Sequence, residues 1–226
     1  MKKILFIITA FLFLTSTVFS QSKININDLV ELDGKMYKPL SDKLYSGIVY
    51  DSYTGTGEKK LEGFYRNGLK NGKWTWWNVF GGIDSTGNFR KGLFYGQWKF
   101  YHSNGQLKVK GNYRNGEGTN RDEYGLTAHG RHGKWTVWYE NGLKEGEGTF
   151  KDGELDGLWT SWYENGQKEV EGTVKDGKED GKWTEWYENG QIKEEANFKD
   201  GELISEKCWH EDGNECECDL FGIGCK

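Results

Sequence analysis

The sequence Trp-Tyr-Glu-Asn-Gly-Gln stands at Trp162–Gln167 and again at Trp186–Gln191, and a near copy ending in leucine stands at Trp138–Leu143, each 24 residues from the next. A fixed interval of this length means one structural unit repeated, each unit burying its apolar surface against its neighbours. Asn-Gly between strand-like runs is the strongest short hairpin signal, so the chain reads as consecutive β-hairpins. The turn glycines Gly57, Gly81, Gly105, Gly142, Gly166 and Gly190 step by 24, 24, 37, 24 and 24, so one interval carries 13 extra residues, placed within residues 117–132. "WHEDGN" at Trp209–Asn214 opens a partial seventh unit.

Taking Asn189-Gly190 as the centre of a two-residue type I′ turn, counting outward sets Trp183 opposite Ala196 and Trp186 opposite Lys193. The same count sets Trp159 opposite Gly172, Trp135 opposite Gly148, Trp98 opposite Gly111, Trp74 opposite Gly87 and Tyr50 opposite Gly63. A large ring thus lies over a residue with little or no side chain, covering backbone that would otherwise be wet. At the other end of each unit, "KDGELDG", "KDGKEDG" and "RNGLKNG" read as the glycine turns that return the chain. The expected fold class is all-β, an elongated antiparallel meander of about six 24-residue hairpins and part of a seventh.

Alternation along the strands sorts the side chains. One face carries Trp98, Trp135, Trp159 and Trp183 with Phe100, Val109, Phe150, Val174, Ile192, Phe198 and the tyrosines Tyr139, Tyr163 and Tyr187, and reads as the core face. The other is polar except for one aromatic per unit: Tyr53, Trp77, Tyr101, Trp138, Trp162 and Trp186, continued by Trp209. Their expected cross-strand partners are Lys60, Asp84, Lys108, Glu145, Glu169 and Lys193, with Cys216 opposite Trp209. Such a row, repeating every two strands at roughly 9–10 Å, is the candidate binding surface for a protein partner or, alternatively, an extended glycan stacked on the rings. Read conservatively, the rings pack only on one another and on lysine stems.

Residues 1–20 are different text. Lys2 and Lys3 precede an apolar run that ends in small residues, which reads as a secretory signal cleaved after Ser20. Removing those two lysines moves the net charge from −5 to −7. An acidic chain lacks the basic patch a nucleic-acid partner needs, and anionic lipid headgroups likewise disfavour it. The expected location is secreted, periplasmic or in the cell envelope. The remaining divisions are a leader hairpin in residues 21–44, with "VELDGKMY" at Val30–Tyr37, the repeats in residues 45–206 and a cysteine-rich cap in residues 207–226. All four cysteines, Cys208, Cys216, Cys218 and Cys225, lie in that cap. An even count in an exported chain reads as two disulfides, with Cys216 and Cys218, too close to pair easily, each joined to Cys208 or Cys225. A zinc site with His210 fits no common ligand spacing.

"GKWTEWYENGQIKEEANFKDG" at Gly181–Gly201 resembles the variant MORN repeat of bacterial proteins, and Leu29–Trp74 resembles the opening of YwqK-family antitoxins. The resemblance implies a meander of β-hairpins acting by interaction, and the antitoxin likeness implies a toxin protein as partner. The chain carries no H-E-x-x-H pair, no G-x-S-x-G elbow and no phosphate loop of the G-x-x-x-x-G-K-[ST] type. The reading is therefore a non-enzymatic interaction scaffold with no catalytic residues, no cofactor and no metal.

Overall fold

The computed structural model describes residues 23–117, 126–218 and 225. The expected secretory signal lies outside them, as does the middle of the insert. The chain opens with β1 (Ile24–Asn25), a 3-10 turn (Ile26–Asp28) and the hairpin β2 (Val30–Leu32) and β3 (Lys35–Tyr37). The repeats supply β4 (Gly47–Ser52), β5 (Lys59–Arg66), β6 (Leu69–Trp77), β7 (Ile83–Arg90), β8 (Leu93–Tyr101) and β9 (Leu107–Gly116) before the insert. After it come β10 (Arg131–Trp138), β11 (Lys144–Lys151), β12 (Glu154–Trp162), β13 (Lys168–Lys175), β14 (Lys178–Trp186), β15 (Ile192–Lys199), β16 (Glu202–Trp209) and β17 (Glu215–Cys216). β4 to β17 follow one another in a single antiparallel meander, which β1 extends to 15 strands by pairing in parallel with β4. The leader forms the expected short hairpin, with Val30 opposite Tyr37.

The two kinds of turn exchange the roles the sequence suggests. At Asn189-Gly190 only the glycine has positive φ, +85°. Gly190 N–H donates to Tyr187 O and Tyr187 N–H to Gln191 O, both at 2.8 Å. This is a type I turn closed by a glycine bulge, not the expected type I′ turn. The I′ signature of two positive φ angles sits at the opposite ends, at Asp152-Gly153, Asp176-Gly177 and Asp200-Gly201.

The inner register is as counted: Trp74 opposite Gly87, Trp98 opposite Gly111, Trp135 opposite Gly148, Trp159 opposite Gly172 and Trp183 opposite Ala196. The first unit departs. Its tip closes from Gly57 N–H to Tyr53 O, one residue longer than the others. Val49, not Tyr50, therefore faces Gly63, and Tyr50 turns to the other side. Period-two alternation makes one residue of slip equal to one change of face.

The rings do not lie over the partners assigned to them. Each leans the other way, onto the strand of the preceding hairpin. A Cβ on Gly63, Gly87, Gly111 or Gly172 would stand 2.1, 2.1, 2.0 or 2.1 Å from the ring of Trp74, Trp98, Trp135 or Trp183. The indole N–H holds that lean by donating to the carbonyl just past each glycine: Phe64, Asn88, Asn112 and Thr173, at 3.0–3.2 Å. Trp159 is placed less tightly: a Cβ on Gly148 would stand 2.7 Å from Leu155 and 2.8 Å from the Trp159 ring, whose far edge would lie 3.0 Å from a Cβ on Gly146. β16 presents Glu206, not tryptophan, to Ala196. The one position of this series that is not glycine is thus the one that no tryptophan of the following strand faces.

Close packing is concentrated in the first half of the sheet. Trp74, Trp98, Val49 and Val109 are almost fully buried, with Tyr65, Phe89, Tyr113 and Trp135 beside them, whereas Trp159 and Trp183 stay half-exposed. Two segments outside the repeat cover this region. Ile24, Ile26, Leu29 and Met36 of the leader pack at one end, and Leu126, at the end of the insert, is buried at the other. Tyr113 Oη and Arg131 Nε both donate to Thr127 O, at 3.0 and 3.2 Å, which ties the end of the insert to the sheet. The last strands are closed by disulfides Cys208–Cys218 and Cys216–Cys225, within the pairing expected. These bridges suit an extracellular or periplasmic protein. Among the described residues no helix is long and apolar enough to cross a membrane.

Candidate functional site

The aromatic row is assembled only in part. Trp77, Trp138, Trp162 and Trp186 close their strands on the threonine face, each half-buried, and Tyr101 holds the equivalent position. Tyr53 does not belong with them. The longer first tip moves Ser52 into the row position, opposite Lys59, and makes Tyr53 a tip tyrosine. Its hydroxyl donates to Trp77 O at 2.7 Å, as Tyr139 does to Trp162 O, Tyr163 to Trp186 O and Tyr187 to Trp209 O. Asn141, Asn165 and Asn189 donate in parallel to the carbonyls of Glu164, Glu188 and Glu211. The repeated Tyr-Glu-Asn-Gly is therefore a tie between successive hairpin tips. Tyr139, Tyr163 and Tyr187 serve those ties and not the core expected of them.

The partners of the row change too. A bulge one residue before each row position pairs Trp138 with Lys144, Trp162 with Lys168, Trp186 with Ile192 and Trp77 with Ile83. The expected partners Glu145, Glu169, Lys193 and Asp84 fall in the bulges and swing to the tryptophan face. Ser161 Oγ donates to Glu169 there at 3.0 Å, Lys193 bonds Glu185 at 3.2 Å, and Lys60 pairs with Asp51 at 2.9 Å. On the threonine face, Lys59, Lys144 and Lys168 place Nζ over the rings of Trp77, Trp162 and Trp186 at 5.4, 5.3 and 5.4 Å. Lys144 and Lys168 also bond Glu147 and Glu171, at 2.8 and 2.6 Å. Burial pushes the Glu147 carboxyl up, but hydrogen bonds from Lys134 and Lys144 and their charges outweigh it and hold the group below the usual carboxylate range.

The tryptophan face holds the larger feature. Between the leader and strands β5 to β8 lies a groove of about 660 Å³, within the range of ordinary ligand sites. Trp76 and Phe100 form its half-exposed wall, stacked on the buried Trp74 and Trp98 at centroid distances of 5.5 and 5.8 Å. Met36 closes it from the leader, and Glu31 and Asp84 are exposed acidic members of the lining. Lys70 Nζ sits 5.0, 5.7 and 5.1 Å from the centroids of Trp74, Trp76 and Phe89.

The sequence carries a signal for this groove. The residue two beyond each core tryptophan runs Trp76, Phe100, Val137, Ser161, Glu185. That gradient marks where the tryptophan face stays apolar beyond its first layer. Which segment closes the groove is not periodic and could not be counted.

On the groove floor, burial together with the charge of Glu31 pushes the Tyr65 phenol up to about 12. A raised folded value favours the neutral phenol, so this stability is present below the ordinary tyrosine value near pH 10 and is lost as pH rises toward about 12. Absorbance titration at tyrosinate wavelengths should show a late-titrating phenol in the wild type that is missing from Tyr65→Phe.

A triplet of possible metal donors, His210, Cys216 and Cys225, lies within 4.8 Å, but the two sulfurs are bonded to each other and offer no thiolate to a metal. No curated protein gives a significant match to the chain. Residues 94–115, 131–152, 155–176 and 179–200, four successive hairpin units of the meander, match the family described as the MORN repeat variant.

Proposed function

We propose that this chain is an exported, non-enzymatic repeat scaffold that docks a protein partner in the groove of its tryptophan face. Repeats of the matched kind commonly mediate binding. The observation that carries the reading is the wall of Trp76 and Phe100, two large rings left half-exposed beside a buried aromatic core. Surface rings beside a pocket are the usual anchors of a protein interface. The likeness to YwqK-family antitoxins supports a partner that is itself a protein, and the secretory signal read in residues 1–20 would bring the two together outside the cytoplasm. The glycan reading of the row has less support, because Lys59, Lys144 and Lys168 already occupy ring faces that a sugar would need.

The test is saturable binding to envelope proteins of the source, followed on Trp76→Ala and, on the opposite face, Trp162→Ala. Loss of the captured protein with Trp76→Ala alone is expected. Loss with Trp162→Ala alone, together with a hit on a glycan array, would transfer the site to the row.

A further inference from the structure

The groove already contains one occupant of informative chemistry. Lys70 leaves β6 next to the turn that joins β5 and β6, and its ammonium lies within 6 Å of three ring centroids at once. A cation at that distance is held by the ring quadrupoles, by about 0.5–2 kcal/mol depending on desolvation. The indoles of Trp74 and Trp76 are nearly parallel, 25° apart, and Phe89 stands across both at 80° and 67°. Three walls of this kind make a cage. The carboxylates of Glu31 and Asp84 also line the groove, and the charge of Glu31 is felt at the Tyr65 phenol on its floor. Among the described residues, the charged groups lining the groove apart from Lys70 itself are these two acids.

We propose that the groove recognises a basic side chain of its partner, a lysine, arginine or methylated ammonium, which takes the place of Lys70 against Trp74, Trp76 and Phe89. Lys70 is then a resident cation that covers these ring faces in the free protein and withdraws when the partner arrives. Its stem is long and carries about four rotatable bonds, so withdrawal needs no backbone movement. The acidic balance of the whole chain, −5, draws the same class of partner. This inference rests on the docking reading above and specifies what that site takes.

The test separates the two. Tetramethylammonium, with tert-butanol as its neutral counterpart of similar shape, is titrated into the full folded chain while the indole N–H resonances are followed by NMR. Tetramethylammonium should shift the Trp76 resonance saturably, and tert-butanol should not. Lys70→Met and Lys70→Gln, which vacate the cage, should each tighten tetramethylammonium binding by about 3–10-fold, within what a single cation–π contact supplies. Glu31→Gln should weaken it. Equal shifts from the neutral compound, or unchanged or weaker binding in both Lys70 variants, would overturn the cation reading. If the captured envelope protein still depended on Trp76 in that event, the docking site would stand and only its ligand class would fall. If tetramethylammonium bound as described and capture did not depend on Trp76, the cage would stand and the protein-docking reading would fall.

Discussion

Gly87→Ala is expected to destabilise the protein by about 2–3 kcal/mol, the upper part of the range for overpacking a filled core. The backbone does not object, since Gly87 is not among the positive-φ residues, and an alanine in its place would lower the entropy of the unfolded chain. The obstacle is the ring. The new Cβ would stand 2.1 Å from Trp98, a buried residue whose indole N–H is fixed to Asn88 O at 3.0 Å. To reach ordinary contact the ring must move by more than an ångström and give up that bond. Ala196→Gly is the matching control. β16 sets Glu206 and not a tryptophan opposite Ala196, which is 3% exposed, so this change should cost about 1–2 kcal/mol, the ordinary penalty of glycine in a strand plus one buried methyl. Urea denaturation of the two variants beside the wild type measures both. Equal effects would mean that the tryptophans do not dictate the glycines.

Trp98→Ala should cost more, about 3–5 kcal/mol, as for other large-to-small changes at buried aromatics. Trp98 is 2% exposed and touches Phe89, Phe94, Phe100 and Tyr113. Trp183 occupies the equivalent register position, but it is half-exposed and its one aromatic neighbour described is Phe198 at 6.4 Å. Trp183→Ala should therefore cost clearly less, about 1–2 kcal/mol, in proportion to the smaller area it removes from water. Register alone would make the two positions equal. Hydrogen exchange should show the same gradient along the chain, with amides of β12 to β15 opening before those of β6 to β9. A uniform protection pattern, or equal losses for the two tryptophans, would mean that the leader and the insert add no stability to the units they cover.

Much of this architecture is legible in the sequence because it is local. A hairpin of fixed length sets its partners by covalent counting, so Trp159 opposite Gly172 follows from the position of one turn. The count survived even an incorrect turn type, because the type I turn and its bulge displace the pairing only at the strand ends. It failed where the tip is one residue longer, at Tyr50 and Tyr53, since one residue reverses every face beyond it.

The sequence by itself determined the number of hairpins, the inner register and the division of each strand into two faces. Tertiary structure decided everything that depends on a choice between equivalent neighbours. Each core tryptophan lies between two neighbouring strands, and for Trp74, Trp98, Trp135 and Trp183 the indole bond to the carbonyl past the glycine holds the ring on the preceding one. Each bulge lets a residue such as Asp84 or Glu169 leave the face its alternation assigns. The groove arises where the periodic text ends, because a repeat can cover its own neighbour but cannot cap its own face. The leader and the insert do that, and their positions follow from packing across the sheet, not from any interval along the chain.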